Sequence, residues 1–79
     1  MAERIPLTDM RNGKTAKVVE ILGGKRIHNR LRALGIRYGV NVTRINGAFA
    51  HSPVVLQVGE TQTALGFGIS YKIIVETDR

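Results

Sequence analysis

The chain contains no cysteine and no tryptophan, only two prolines, and four aromatic residues: Tyr38, Phe49, Phe67 and Tyr71. Without cysteine there is no disulfide staple, no thiolate metal site and no thiol nucleophile. Four scattered aromatics do not make the stacking platform on which single-stranded nucleic acids are read. No apolar run approaches the ~20 residues of a membrane span. The opening Met-Ala-Glu-Arg-Ile-Pro lacks the apolar core of a signal peptide. Together these absences lead us to expect a cytoplasmic protein. Acidic residues are also missing from one long window: between Ile21 and Gly59 there is no Asp or Glu.

That window holds Lys25, Arg26, Arg30, Arg32, Arg37 and Arg44. The six acids lie outside it, at Glu3, Asp9, Glu20, Glu60, Glu76 and Asp78, and the net charge is +6. A segment of one sign this long predicts a positive face. Its natural partners are an acidic protein surface, a nucleic acid or an anionic membrane. The bland alternative is a solvated basic face with no dedicated partner.

The 79 residues suffice for a single domain spanning 1–79. A chain of this size buries only roughly 60–65% of the surface it exposes when unfolded. Self-association is the remaining way to supplement so small a core, which leaves a weak homo-oligomer open.

The stretch Gly23 to Gly39, GGKRIHNRLRALGIRYG, is the best helix candidate. Ile27, Leu31 and Leu34 fall on one helical stripe. The spacing predicts a helix over about 25–34, seated on a core by those three side chains, with Gly35 supplying the positive φ of a C-cap. Lys25, Arg26, Arg30 and Arg32 surround the stripe and Arg37 follows it.

The flanking chain reads as short strands. In Thr15 to Leu22, Ala16 and Val18 share one parity while Val19 and Ile21 share the other, which predicts a bulge or a second covered face. Val40 to Asn46, Pro53 to Val58, Thr61 to Leu65 and Lys72 to Glu76 follow, with Asn46-Gly47 as a hairpin turn. Thr8 is placed to N-cap a turn over Asp9 to Arg11, with Leu7 and Met10 facing inward. One helical turn is expected from Ile69 to Tyr71, and Thr77 to Arg79 should fray. About five strands and one short helix after the first long strand predict a mainly β fold. We expect a small antiparallel barrel closed to remove its edges.

Chemistry is sparse. No Ser/His/acid set and no paired carboxylates stand in context, so no enzyme is expected. His28 and His51 lie far apart, lack compact ligand spacing, and His28 sits among arginines. They read as two exposed histidines, able at most to hold an adventitious divalent ion. Gly23-Gly24-Lys25 lacks the spacing of a P-loop, and no dinucleotide fingerprint is present. It reads as a tight strand-to-helix turn. No cofactor or small-molecule substrate is expected.

The order of short motifs is more telling. Pro6-Leu7-Thr8-Asp9-Met10-x-x-Gly13 is followed by Ala16-x-Val18-x-x-Ile21 and Gly23-Gly24. Then come Arg30-Leu31-x-x-Leu34-Gly35-Ile36-x-x-Gly39, Pro53-Val54-x-Leu56-x-Val58, Thr63-Ala64-Leu65-Gly66 and Ile73-x-Val75. From Pro6 to Glu76 the chain resembles the FeoA family of bacterial and archaeal ferrous iron transport. Phe67-Gly68-Ile69-Ser70-Tyr71 departs from the family pattern in being more glycine-rich and apolar. The resemblance implies an SH3-like barrel and a stand-alone, non-enzymatic accessory protein. It also implies docking on FeoB, the membrane Fe(II) transporter with a cytoplasmic GTP-binding part, which would place the protein at the inner face of the membrane.

Two mechanisms compete for the basic residues. In the first, Lys25, Arg26, Arg30, Arg32 and Arg37 meet an acidic surface of the transporter. In the second, the barrel binds RNA or DNA. A third reading, a peptide groove near Tyr38, Phe49 or Phe67, needs no charge at all.

Overall fold

The computed structural model describes residues 2–46 and 53–78. Six strands form one antiparallel sheet: β1 (Ala2–Pro6), β2 (Thr15–Ile21), β3 (Asn41–Asn46), β4 (Val54–Val58), β5 (Thr61–Leu65) and β6 (Ile73–Asp78). Their order across the sheet is β1-β6-β2-β3-β4-β5. Helix α1 (Lys25–Ala33) joins β2 to β3, and the short α2 (Phe67–Ser70) joins β5 to β6. A 3-10 turn, Leu7–Asp9, follows β1.

The expected barrel is open. β1 and β5 are both edges, and no pairing joins them among the described residues. The gap is flanked instead by the elements that follow those strands: the 3-10 turn after β1 and α2 after β5 are neighbours. The sheet therefore curls around its core in the SH3-like manner without a continuous ring of hydrogen bonds.

β1 is the sixth strand, absent from the sequence reading. It pairs with β6 from Ala2↔Asp78 to Pro6↔Ile74. The same pairing holds Thr77 against Glu3, so the tail expected to fray is a strand as far as Asp78. Pro6 is tolerated because β1 is an edge, where a missing N–H need not break a ladder.

Of the two explanations that the parity change in β2 left open, a bulge and a second covered face, the structure shows the bulge. The register with β6 shifts between Val18 and Glu20, so that Ala16, Val18 and Ile21 all reach the core. Among the described residues the core is aliphatic apart from Met10, with Leu7, Val18, Leu31, Leu56, Ile73 and Val75 fully buried. Leu7 and Met10 both face inward, as expected. The turn begins two residues earlier than expected, however. It has Pro6 at its N-cap position and no side-chain cap from Thr8. Likewise α2 covers Phe67–Ser70, where buried Ser70 donates its hydroxyl to the Gly66 carbonyl at 2.9 Å. The hairpin expected at Asn46-Gly47 lies outside the described residues.

Candidate basic docking surface

Helix α1 is held at both ends by glycine. Gly23 has φ +109, a backbone conformation that side chains with a Cβ rarely adopt, and Ile27 Cδ1 folds back to within 2.9 Å of where such a Cβ would stand. At the far end Gly35 has φ +84. Its N–H bonds the Arg32 carbonyl while the Ile36 N–H bonds the Leu31 carbonyl, each at 2.9 Å. This double bond pattern is a Schellman motif. It corrects the expected stripe: α1 stops at Ala33, Leu34 is the C-cap and is 37% exposed, and Ile36 is buried in its place. The side chains that seat the helix are thus Ile27, Leu31 and Ile36.

With that stripe fixed, helical geometry distributes the cations. Arg26 and Arg30, four apart, stack along one flank. Lys25 and Arg32, seven apart, lie along the other. Asn29 and Ala33 form the outward crest between them. Arg37 lies beyond the Schellman turn, in the loop that returns through Gly39 (φ +87) to hydrogen-bond Val18. All five residues expected to form the basic face are exposed. Among the described residues none of them forms a salt bridge; the ion pair is Arg4–Glu76, at 3.6 Å and in solvent.

The sixth cation of the acid-free window does something else. Arg44 is only 8% exposed, and its guanidinium donates to the carbonyls of Thr8 (3.0 Å) and Met10. It cross-links β3 to the 3-10 turn and takes no part in the basic surface. β3 carried the signal: Val42 and Arg44 share a parity and both point inward, while Ile45 on the other parity is 40% exposed.

His28 is half-buried rather than exposed. Its Nε2 lies 3.0 Å from the Ile21 carbonyl, and its ring centroid 6.1 Å from that of Tyr38. As the carbonyl can only accept, Nε2 carries the proton. The histidine therefore fastens α1 to the end of β2. His51 and Phe49 lie outside the described residues. Among the described residues there is no cluster of three or more His, Cys, Asp or Glu side chains. Tyr38 packs beside His28, whereas Phe67 stacks on Tyr71 with centroids 6.4 Å apart. Leu22, Phe67 and Tyr71 are exposed apolar residues that periodicity alone did not single out. A hollow of about 570 Å³ between β1, β6 and the 3-10 turn is lined by both charge signs, Glu3 and Asp9 with Arg11 and Lys14.

The N-terminus of α1 has no compensating acid. Gly24 is the N-cap without a side-chain bond, and the first turn carries Lys25 and Arg26. The helix dipole and the side chains therefore add positive potential at one spot. What this end of the molecule can do is attract and orient an anionic surface. No helix of the described residues is long and apolar enough to cross a membrane.

Comparison with known proteins identifies the family and the fold. The FeoA domain family model matches residues 5–77. A crystal structure of an iron uptake regulatory protein, FeoA, superposes with a TM-score of 0.84 at 26% identity, covering 95% of this chain and 99% of that one. FeoA of Stenotrophomonas maltophilia, crystallised with zinc and described as possibly a ferrous iron transport activating factor, is 27% identical. It covers 95% of this chain and 98% of its own, with a TM-score of 0.72. A manganese-dependent transcriptional repressor shares the fold over 42% of its length, at 18% identity and a TM-score of 0.82. No curated protein matches the sequence.

Proposed function

We propose a function from the premise that this chain belongs to the FeoA family, which is associated with ferrous iron transport. In our reading it is a non-enzymatic accessory protein on the cytoplasmic side of Fe(II) uptake. It docks on the GTP-binding part of a FeoB-like transporter through Lys25, Arg26, Arg30, Arg32 and Arg37. One observation carries this: five exposed cations, without salt bridges among the described residues, surround a helix whose seating is fixed at both ends. A preorganised charged surface gains on-rate and register without ordering its backbone on contact. Iron is then the cargo of the partner, and the protein acts on the transporter's gating or nucleotide cycle.

The test is a titration of the whole protein against the transporter's GTP-binding domain, with and without nucleotide, and against RNA in parallel. The reading requires saturable binding to the domain that is lost in the Arg26→Glu/Arg30→Glu double variant. Undiminished binding by that variant removes the basic surface as the interface. Tighter binding to RNA than to the domain removes the reading itself.

A further inference from the structure

The two edges of the sheet are not alike. β1 carries Glu3, Arg4 and Pro6, the charges and proline that discourage a strand from pairing with another chain. β5 reads Thr-Gln-Thr-Ala-Leu, with no charge and no proline.

The hairpin geometry says which groups β5 leaves free. β4 and β5 are joined by Gly59 and Glu60 alone, with Val58 opposite Thr61. Gly59 has φ +60, the positive value that primed hairpin turns require at the first central position. In such two-residue hairpins the flanking pair exchanges both backbone bonds. Bonded and non-bonded pairs then alternate along the ladder. Thr61, Thr63 and Leu65 thus turn their N–H and C=O groups to β4. Gln62 and Ala64 turn theirs outward. Both residues are exposed, and among the described residues no backbone bond outside the ladder reaches either.

We propose that this edge pairs with the same edge of a second copy, antiparallel, about a two-fold axis at Thr63. In that register Gln62 faces Ala64 of the other copy, and Ala64 faces its Gln62. These are the residues with outward groups on both sides, so four backbone bonds form reciprocally. A shift by one residue sets outward groups against groups already bonded to β4. A shift by two leaves one self-facing pair, Gln62 or Ala64 against its own counterpart, and sends the partner of the other residue beyond the strand, so two bonds form instead of four. Thr63 meets its own counterpart, a favourable cross-strand pair. The seam itself contains no charge, so no like charges face each other within it. The result is a twelve-stranded sheet in which the unguarded edges vanish. A core as small as this one gains from that additional burial. The inference does not depend on the docking reading.

Sedimentation velocity on the full chain, from about 10 μM to about 1 mM, tests it, since so small a seam supports a weak dimer. The expected result is a weight-average mass that climbs toward that of a dimer with concentration. Ala64→Pro removes an N–H that the internal ladder does not use, and this variant should stay monomeric throughout. Amide exchange of the unsubstituted protein provides the check if that variant does not fold. The Gln62 and Ala64 amides should slow as concentration rises. A monomer at every concentration overturns the proposal, as does a dimer that leaves those two amides unprotected. Protection of them only when the transporter's domain is added also overturns it, in favour of a partner's strand.

Discussion

The Ile36 N–H is bonded to the Leu31 carbonyl at 2.9 Å, and both side chains are buried, at 1% and 0% exposure. One residue pair thus closes the helix and seats its end on the core. Gly35, between them, stands at φ +84, and a Cβ there would meet only Val58 Cγ1 at an ordinary 3.6 Å. The backbone, not crowding, makes glycine necessary. Gly35→Ala should therefore cost about 1–2 kcal/mol, the penalty of a left-handed conformation for a residue with a Cβ. In a chain of this size each kcal/mol lowers Tm by roughly 4–8 °C. Gly35→Asn should lose less, because asparagine tolerates that region. Equal melting temperatures for wild type and Gly35→Ala would contradict the assignment.

Arg44 should prove structural. Removing its guanidinium leaves the Thr8 and Met10 carbonyls without their donor. Each such loss is worth about 1–3 kcal/mol, so Arg44→Ala should destabilise the fold by about 2–6 kcal/mol. The whole stability of so short a chain is only about 4–12 kcal/mol. Arg44→Lys keeps one cationic donor and should recover part of the loss. Urea denaturation of the three proteins measures this. If Arg44→Ala weakened partner binding while leaving the urea midpoint unchanged, Arg44 would belong to the basic surface after all.

How much of this was legible depended on whether a residue's role was set locally. The Val18/Val19 parity change announced its bulge because the pattern of the strand itself breaks there. Gly35 announced the helix end for the same reason. β1 could not be read: Ala2, Glu3 and Arg4 are exposed, and they form a strand because β6 offers an edge to pair with. Likewise the stripe continued to Leu34 on spacing alone, whereas the Schellman turn swings Ile36 inward and releases Leu34. Charge was the least transparent property. Arg44 and Arg30 look alike in a count of cations, yet one is internal and the other exposed. The period of β3, with Arg44 on the parity of Val42, held the distinction.

The uncapped start of α1 provides a way to separate stability from binding. Gly24 is extended, at φ −88 and ψ −171, which suits any N-cap residue. Gly24→Asp adds a side-chain acceptor for the first-turn N–H groups, worth a few tenths of a kcal/mol over glycine. Its charge opposes the dipole for a further 0.3–1, so a gain of about 0.5–1 kcal/mol is expected. The same carboxylate sits beside Lys25 and Arg26 and lowers the local positive potential. The variant should melt higher and bind the acidic partner more weakly. A rise in both properties would mean that the first turn lies outside the interface.

Ionic strength gives the most direct test of the docking surface. The five cations are exposed, so their attraction for an acidic partner is screened once the Debye length falls well below the separation of the surfaces. Between about 0.05 M and about 0.5 M salt the association rate should drop by an order of magnitude or more, while dissociation changes little. Arg26→Glu/Arg30→Glu should abolish that salt dependence together with binding and leave the melting temperature within about 4–8 °C of wild type, because two exposed substitutions cost no more than about 0.5 kcal/mol each. Lys14→Glu removes the same kind of charge from the loop before β2, away from α1, and should retain most of the affinity. Stopped-flow association of the three proteins at both salt concentrations separates the outcomes. A rate insensitive to salt places the contact on the exposed apolar residues, such as Leu22, Phe67 and Tyr71, instead of on the helix. If Lys14→Glu slows association as much as Arg26→Glu/Arg30→Glu does, only the net charge matters and no defined basic surface exists.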